Sequence, residues 1–396
     1  GGGGDGTAAG RSGGQVAAGK APQLADPDML SAAGGCVGQR DGATLVSHFP
    51  HVDVVFGTHN IANLPGLLRA AEETRRPVVE VVESSDGGLT SDVPTEREHP
   101  WHAWVPIAVG CDNFCTYCIV PYVRGRERSR TLEDVVAEVR RLIADGVMEI
   151  TLLGQNVNSY GRDLYGEPRF AALLTAVAGT GIDRIRFTTS HPKDLSDETI
   201  EAMASYANIC RYLHLPVQSG SDAVLKRMNR HYTQASYLAL IDKLYSAMPD
   251  LALSTDVIVG FPGETEADFE GTMAVVEAAR YDQAFTFIYS PREGTPAASM
   301  DDQVPREVTQ ARFDRLVSAI QASALMKAQA YVGTVQLVLV EGHSKRTPNV
   351  LAGPAERNQQ VHDVCPTDGA PAAAPVRMGE VQTPAIMFVP SESIYA

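Results

Sequence analysis

The sequence predicts an α/β protein whose main part is a parallel sheet curled into a partial or full barrel. Strand-like runs alternate with amphipathic helical segments through residues 101–331 of the 396-residue chain, and this alternation is typical of parallel strands joined by crossover helices. A shorter βα stretch precedes this region, and β-branched runs with many glycines and prolines follow it. The expected fold is therefore a barrel with a small α/β segment before it and a small antiparallel β-barrel after it.

The composition along the chain predicts five segments. Residues 1–28 are rich in glycine and alanine, which favours a poorly specified segment. Residues 29–83 show βα alternation, with strands predicted at 52–56 and 78–82 and a helix at 60–73. The remaining segments are a charged, turn-rich linker over 84–100, the barrel over 101–331 and the antiparallel barrel over 332–396.

Within the barrel region, helix and strand signals follow each other in order. Thr131 is predicted to cap a helix that carries Glu133 and Asp134 in its first turn and ends at Gly146. Other helical stretches are expected at 266–279 and 310–330. Strands are predicted at 149–153, 184–188, 212–217, 253–259 and 285–289.

Polar residues follow the predicted strands at the ends where barrels of this type carry their chemistry. Each stretch alone could be turn chemistry or helix capping, but four of them at one predicted rim favour a binding surface. The four stretches are Gln155 to Asn158, Ser190 to Pro192, Gln218 to Ser221 and Gly260 to Glu264. His214 is equally compatible with a core histidine, and Cys210 is interpreted as core packing.

Three cysteines with C-x3-C-x2-C spacing, Cys111, Cys115 and Cys118, predict a 4Fe-4S site. Ordinary electron-transfer clusters take four cysteine ligands, so three would leave one iron open, and open metal positions are typically catalytic. The alternatives are a structural zinc site, buried thiols or a disulfide, although zinc normally requires a fourth ligand. Cys36, after Gly34 and Gly35, lies in a predicted turn that lets the backbone approach a bulky ligand.

Composition restricts the classes of function. The net charge of −15 argues against indiscriminate nucleic-acid binding, yet Arg124, Arg126, Arg128 and Arg130 could form a local phosphate contact or an ordinary solvated charge run. No apolar run has the length of a membrane span, and no secretory signal is recognisable. Few cysteines and an oxygen-sensitive cluster motif indicate a reducing cytoplasm.

The last segment contains candidate contacts for nucleic acid. Val335 to Val340 predicts a strand, and small antiparallel barrels commonly bind single-stranded nucleic acid. Lys345 and Arg346, in the first predicted hairpin, are candidate phosphate contacts, with surface charge as the ordinary alternative. Residues 366–375 predict a low-complexity loop.

Several of these motifs together resemble a known family. The segments that resemble the bacterial radical S-adenosylmethionine (SAM) methylthiotransferases are Gly110 to Arg130, Leu152 to Tyr160, His214 to Ser221 and Ser254 to Glu264. Pro50 to Asn60 is similar to the tRNA-2-methylthio-N6-dimethylallyladenosine synthase branch. The resemblance implies an N-terminal methylthiotransferase domain, a radical SAM partial TIM-type barrel and a C-terminal TRAM barrel.

The resemblance also implies an activity, namely 2-methylthiolation of N6-dimethylallyladenosine beside the anticodon of tRNA. One SAM would supply a methyl group, and a second SAM, reduced at the cluster, would start replacement of the C2 hydrogen. Such radical chemistry requires cofactors, because protein side chains alone cannot supply it. The implied partners are the anticodon stem-loop of tRNA and a reductant such as flavodoxin or ferredoxin. No association with a membrane is expected. The SAM contacts expected from this resemblance are Tyr117, Gln155, Asn156, Ser190, Gln218 and Asp256.

One departure from the family pattern concerns the second cluster, which the family holds with three N-terminal cysteines. Here only Cys36 matches, in the position of the last ligand. We therefore expect either that the chain lacks its true N-terminus, which the abrupt start of the matching region favours, or that it cannot complete sulfur insertion.

Three other functions stay open from the sequence. Two are sister methylthiotransferases, which act on a ribosomal-protein aspartate or on threonylcarbamoyladenosine. The third is a non-catalytic RNA-binding protein with a residual cluster.

Overall fold

The computed structural model describes residues 29–82, 96–332, 334, 336–343, 350–364 and 381–382. The predictions for residues 1–28, most of the linker, Lys345, Arg346 and the 366–375 loop lie outside this part of the chain. The described residues divide into two compact units. The first contains 29–82, 109–128 and 290–295, and the second contains 96–108, 129–289 and the described residues from 296 onward.

The first unit is built on a small parallel sheet with strand order β1-β2-β3. Its strands are β1 (Ala32–Ala33), β2 (Val54–Phe56) and β3 (Val78–Glu80), and its helices are α1 (Cys36–Asp41), α2 (Ala43–His48), α3 (Leu64–Thr74) and α4 (Val120–Arg124). A Cβ on Gly34 would lie 2.0 Å from the Phe56 ring. Gly34 therefore allows close packing on Phe56 of β2, and this packing explains the glycine without a bound ligand.

The second unit contains the predicted barrel as six parallel strands. Two three-stranded sheets, β4-β7-β8 and β9-β10-β11, are joined by a parallel bridge between Ile185 and Ile209. The strands are β4 (His102–Pro106), β7 (Glu149–Leu153), β8 (Arg184–Phe187), β9 (Tyr212–His214), β10 (Ala252–Val259) and β11 (Gln283–Ile288). The α/β fold class with a partial barrel is confirmed. The short strands β5 (Ala108–Val109) and β6 (Arg128–Ser129) flank the cysteine loop.

Helices cover the outside of this sheet, and their caps agree with the sequence. Thr131 accepts a hydrogen bond from the Asp134 N–H at the start of α5, as predicted. The helices of the second unit are α5 (Leu132–Ala144), α6 (Arg162–Tyr165), α7 (Phe170–Ala178), α8 (Asp197–Ser205), α9 (Asp222–Arg227), α10 (Gln234–Ala247), α11 (Glu266–Ala279) and α12 (Arg306–Gln329). None of the described helices is both long and apolar enough to cross a membrane.

The barrel strands have one apolar and one polar face. Ile150, Leu152 and Ile185 belong to a continuous core with the helices, whereas Glu149 and Arg186, on the opposite face, form an ion pair of 2.9 Å. Successive side chains of a strand point to opposite faces, so this second face is the inner face of the barrel.

The described C-terminal strands are antiparallel. They are β12 (Val338–Leu339), β13 (Gly342–His343), β14 (Val350–Pro354), β15 (Gln360–Val364) and β16 (Val381–Gln382), paired as β13-β14-β15 and β12-β16. The turn after β14 packs at the N-terminal ends of the barrel strands. There Arg186 donates to the carbonyl oxygens of Ala355 and Glu356, at 2.7 and 3.2 Å.

Candidate functional site

The cysteine loop lies entirely in the first unit. Gly110 has a φ of 87°, and a Cβ there would lie 2.1 Å from the Arg126 carbonyl oxygen, so glycine permits the two ends of the loop to approach. The Cys111 N–H donates to Gly125 O at 3.2 Å, and the Cys118 N–H donates to Cys115 O at 3.0 Å. These bonds hold an eight-residue turn with a thiol at each end and one inside.

The thiols of this loop fit a cluster better than the simpler alternatives. Cys111 and Cys115 are buried, Cys118 is half-buried, and none of the described cysteines forms a disulfide. Burial, together with the charges of Cys115 and Cys118, raises the pKa of Cys111 to about 12. A bound cationic metal centre would stabilise the thiolate form and so offset the effect of burial on the pKa.

A single metal ion is a poorer fit to the same residues. No group of three His, Cys, Asp or Glu side chains among the described residues is arranged to hold one ion. Cysteines that hold a 4Fe-4S cube bind irons at different corners, so they stand farther apart than the ligands of one zinc. Cys36 begins α1, which packs against α4 just after the loop.

The four arginines after the loop have different partners. Arg126 forms an exposed pair with Asp112 at 2.7 Å, and the buried Arg130 pairs with Glu138 at 2.5 Å. Arg128 donates to His59 Nδ1 at 3.1 Å, and burial together with the charges of Arg128 and Arg124 lowers the pKa of His59. Arg126 and Arg130 are therefore paired with carboxylates, and the charges of Arg124 and Arg128 act on His59.

In the second unit, the turns after β7 and β8 bury polar atoms that have no hydrogen-bond partner among the described residues. Asn156, Asn158 and Ser190 are each at most 3% exposed. Their unpartnered atoms are Asn156 Oδ1, Asn158 Nδ2 and Ser190 Oγ. Such atoms are rare in folded proteins, and a bound ligand, ion or water can supply the missing hydrogen-bond partner. Asn156 and Ser190 are predicted from the sequence as ligand contacts, whereas Asn158 belongs only to the predicted polar stretch.

The backbone at this rim is strained at two positions. Thr189 has a φ of 70° and Gln218 a φ of 64°, a region that non-glycine residues seldom occupy and β-branched residues avoid. Thr189 O accepts from Val157 N at 3.1 Å, and Gln218 N donates to Asp256 O at 2.8 Å. These bonds hold the strained turns in place. Thr189 was missed because no sequence pattern marks a threonine with this backbone conformation.

Other predicted rim residues prove to be turn chemistry. Ser221 accepts from Val224 N and caps α9, and His191 Nδ1 accepts from Lys193 N. Glu264 accepts from Gly260 N at 2.9 Å and from Arg312 Nη1 at 2.9 Å. The binding-surface interpretation therefore does not extend to these three side chains.

The remaining predicted residues differ in position and exposure. Gln155 is half-exposed at the end of β7, Gln218 is buried after β9, and Tyr117 is half-buried in the cysteine loop. Asp256 lies on the inner face of β10, where its Oδ1 is 3.5 Å from His214 Nε2. His214 Nδ1 also lies within hydrogen-bond distance of Ser254 Oγ, at 2.9 Å, so this histidine belongs to the polar inner face and not to the apolar core.

Comparison with known proteins agrees with this architecture. Residues 105–276 match the model of the Radical SAM superfamily. A structure of the radical SAM methyltransferase TsrM from Kitasatospora setae, with tryptophan and the SAM analogue aza-SAM bound, aligns with a TM-score of 0.51 over 68% of this chain and 57% of that one. The two chains share 16% identity, so this likeness concerns the fold alone.

Sequence similarity to other proteins is much closer and covers most of the chain. The chain is 50% identical over 339 residues to the tRNA-2-methylthio-N6-dimethylallyladenosine synthase of Carboxydothermus hydrogenoformans, covering 85% of this chain and 77% of that one. It is 48% identical to the enzyme of the same name from Streptomyces viridosporus, covering 93% and 73%. The family resemblance seen in the motifs is thereby confirmed. The chain belongs to the tRNA-2-methylthio-N6-dimethylallyladenosine synthase family of radical SAM transferases.

Proposed function

We propose that this protein catalyses the radical SAM-dependent 2-methylthiolation of N6-dimethylallyladenosine in tRNA. The observation that carries the proposal is the three-cysteine loop, in which Cys111 and Cys115 are buried. The chain is also 50% identical over 339 residues to a synthase of that name. A 4Fe-4S cluster held by Cys111, Cys115 and Cys118 would supply the electron that cleaves SAM. Tyr117, next to Cys118, would line this site.

The polar rim of the barrel is proposed to bind SAM. Asn156 Oδ1 can accept from a ligand N–H or O–H, and Asn158 Nδ2 and the Ser190 hydroxyl can donate, because these atoms lack protein partners among the described residues. Gln155 and Gln218 add amides in the segments that follow β7 and β9. The sequence predicts Asp256 as a member of the same set, and its side chain lies on the inner face of β10.

Cys36 is the proposed ligand that this chain contributes to a second 4Fe-4S cluster, which would serve sulfur insertion. One thiolate cannot hold a cube, so the second cluster requires ligands besides Cys36. Because tRNA is the proposed substrate, the proposed place of action is the cytoplasm, with the anticodon stem-loop as the contact. Arg124 and Arg128 are candidate phosphate contacts, and a flavodoxin or ferredoxin is the expected reductant.

Iron and acid-labile sulfide content after anaerobic reconstitution tests the cluster assignment. We expect about four irons per chain if only the three-cysteine loop binds a cluster. We expect a Cys111/Cys115/Cys118 triple-alanine variant to lose them. About eight irons, half of them retained in the variant, would indicate that a second cluster forms as well.

Formation of 5′-deoxyadenosine from SAM separates an enzyme from an RNA-binding protein with a residual cluster. The reconstituted protein with dithionite should release 5′-deoxyadenosine, and Cys115→Ala should abolish the release. Cys210→Ala is the matched control, since Cys210 is buried beside Arg186 and distant in sequence from the loop. Cleavage that persists in Cys115→Ala would contradict the assignment of the cluster.

A further inference from the structure

The edge strand β11 exposes two aromatic rings on the inner face of the barrel. Phe285 is 46% exposed and Phe287 is 50% exposed, whereas Phe170, Phe187 and Phe269 of the same unit are at most 2% exposed. The His214 ring contacts Phe285 edge-on, with ring centroids 5.9 Å apart, so Phe285 lies on the same inner face as His214. Phe287 follows two residues later and shares that face.

A fixed carboxylate lies beside these rings. Asp256 is the β10 partner of Phe285, and Ile258 is the partner of Phe287. The Asp256 side chain is 26% exposed, so its carboxylate can still accept a hydrogen bond from a ligand. The inner face at this level therefore offers a strip of two phenyl rings with an acceptor at the Phe285 end.

A chain of hydrogen bonds fixes which His214 nitrogen faces Asp256. The Tyr212 hydroxyl lies 2.7 Å from Ser254 Oγ, and Ser254 Oγ lies 2.9 Å from His214 Nδ1. The Asn358 side chain also bonds to Tyr212. With Nδ1 bound to Ser254, the other ring nitrogen, Nε2, lies 3.5 Å from Asp256 Oδ1.

This combination selects for one chemical class of ligand. A flat heteroaromatic ring can stack on a phenyl ring, an amine N–H next to that ring can donate to the carboxylate, and an apolar substituent on the same amine can cover the second phenyl ring. The two rings are about 7 Å apart along the strand, which suits a purine followed by a short alkyl group. An N6-alkylated adenine has all three features.

We propose that Phe285, Phe287 and Asp256 form the subsite for the target base, with the purine on Phe285, the N6–H donated to Asp256 and the N6-alkyl group on Phe287. The base would be extruded from the RNA stack to reach this face, as in other enzymes that modify nucleobases. This subsite rests on the proposed function and makes Asp256 a substrate contact. His214 is then a positioning residue, which acts through Asp256.

Binding of three RNAs tests the subsite without requiring turnover. The probes are fluorescein-labelled anticodon stem-loops that carry N6-dimethylallyladenosine, adenosine or an abasic nucleotide at the target position, measured by anisotropy at one salt concentration because RNA affinity depends on salt. We expect Phe285→Ala to weaken binding of both base-containing RNAs by roughly tenfold. We expect Phe287→Ala to remove most of the preference for the alkylated base.

Two controls separate loss of the subsite from general damage. The abasic RNA should bind Phe285→Ala, Phe287→Ala and the parent equally, and Leu325→Ala, at a 42% exposed leucine on α12, should keep the parental affinities. Asp256→Asn, which keeps the side-chain volume, should weaken both base-containing RNAs.

The outcomes distinguish this inference from the proposed function. The subsite would be overturned if Phe287→Ala kept the preference for the alkylated base, or if Phe285→Ala kept the parental affinity for the base-containing RNAs. A variant that weakened the abasic RNA as strongly as the other two RNAs would also overturn it. A parent protein that binds all three RNAs alike would instead contradict the proposed substrate.

Discussion

The turns at one rim of the barrel bury polar side chains in two opposite ways. After β10, the carboxylate of Glu264 accepts hydrogen bonds from Gly260 and Arg312. After β7 and β8, Asn156 and Ser190 are as deeply buried but keep polar atoms without a partner among the described residues. Burial of a polar group thus does not mark a binding site by itself. A group of buried atoms with unmet hydrogen bonds at the rim is a stronger indication, because an unpaired buried group costs stability that a ligand can restore.

The largest expected effect concerns the satisfied turn. Glu264→Ala would leave Arg312 buried without its closest carboxylate and would leave Gly260 N–H without an acceptor. We expect the free energy of unfolding to fall by about 3 kcal/mol in urea denaturation. Glu270→Ala is the control, because the Glu270 pair with Arg315 is exposed and should contribute less than about 1 kcal/mol. Equal losses for the two variants would contradict the structural role of Glu264.

A second effect should appear as a pH dependence at His191. Burial, with the charges of Arg230, Lys193 and His231, lowers the pKa of His191 to about 2. The unfolded chain takes up a proton near pH 6.5 and the folded chain does not, so stability is present above that pH and lost as the pH falls. We expect a loss of about 2 kcal/mol between pH 7 and pH 5 from this group.

The variant His191→Asn isolates this contribution. An asparagine oxygen can still accept from Lys193 N but cannot be protonated in this range. Unfolding of the parent and the variant should therefore differ in pH slope. Parallel pH profiles would show that His191 is not the group responsible.

The smallest expected effect concerns the unsatisfied turn. Ser190→Ala removes an unpartnered hydroxyl, so stability should change by less than about 0.5 kcal/mol. The affinity for SAM, measured by calorimetry on reconstituted protein, should fall roughly tenfold. Ser221→Ala is the opposite case: it removes the cap of α9 and should cost about 1 kcal/mol of stability while SAM affinity is retained. A loss of stability in Ser190→Ala without a loss of SAM affinity would contradict the expected difference between Ser190 and Ser221.

The sequence predicted most of the barrel because its signals are local. The strand at Glu149–Leu153 and the helix at Glu266–Ala279 have the predicted bounds, since β-branched runs and capping residues act within a few positions. The strand predicted over 212–217 ends at His214, because Pro216 has no N–H for a strand ladder. The strand predicted over 184–188 ends at Phe187, two residues before the positive φ of Thr189.

The amino-acid sequence by itself determined the barrel, the three-cysteine loop and the family, because spacing and periodicity are written along the chain. Only the tertiary structure decided which polar rim residues are already satisfied, and which arginines after the loop are balanced by carboxylates. It also placed Phe285, Phe287 and Asp256 on one face. These properties depend on partners far away in sequence, such as Arg312 for Glu264 and Phe285 for Asp256. A hydrogen bond or a shared face exists only once folding has brought both partners together.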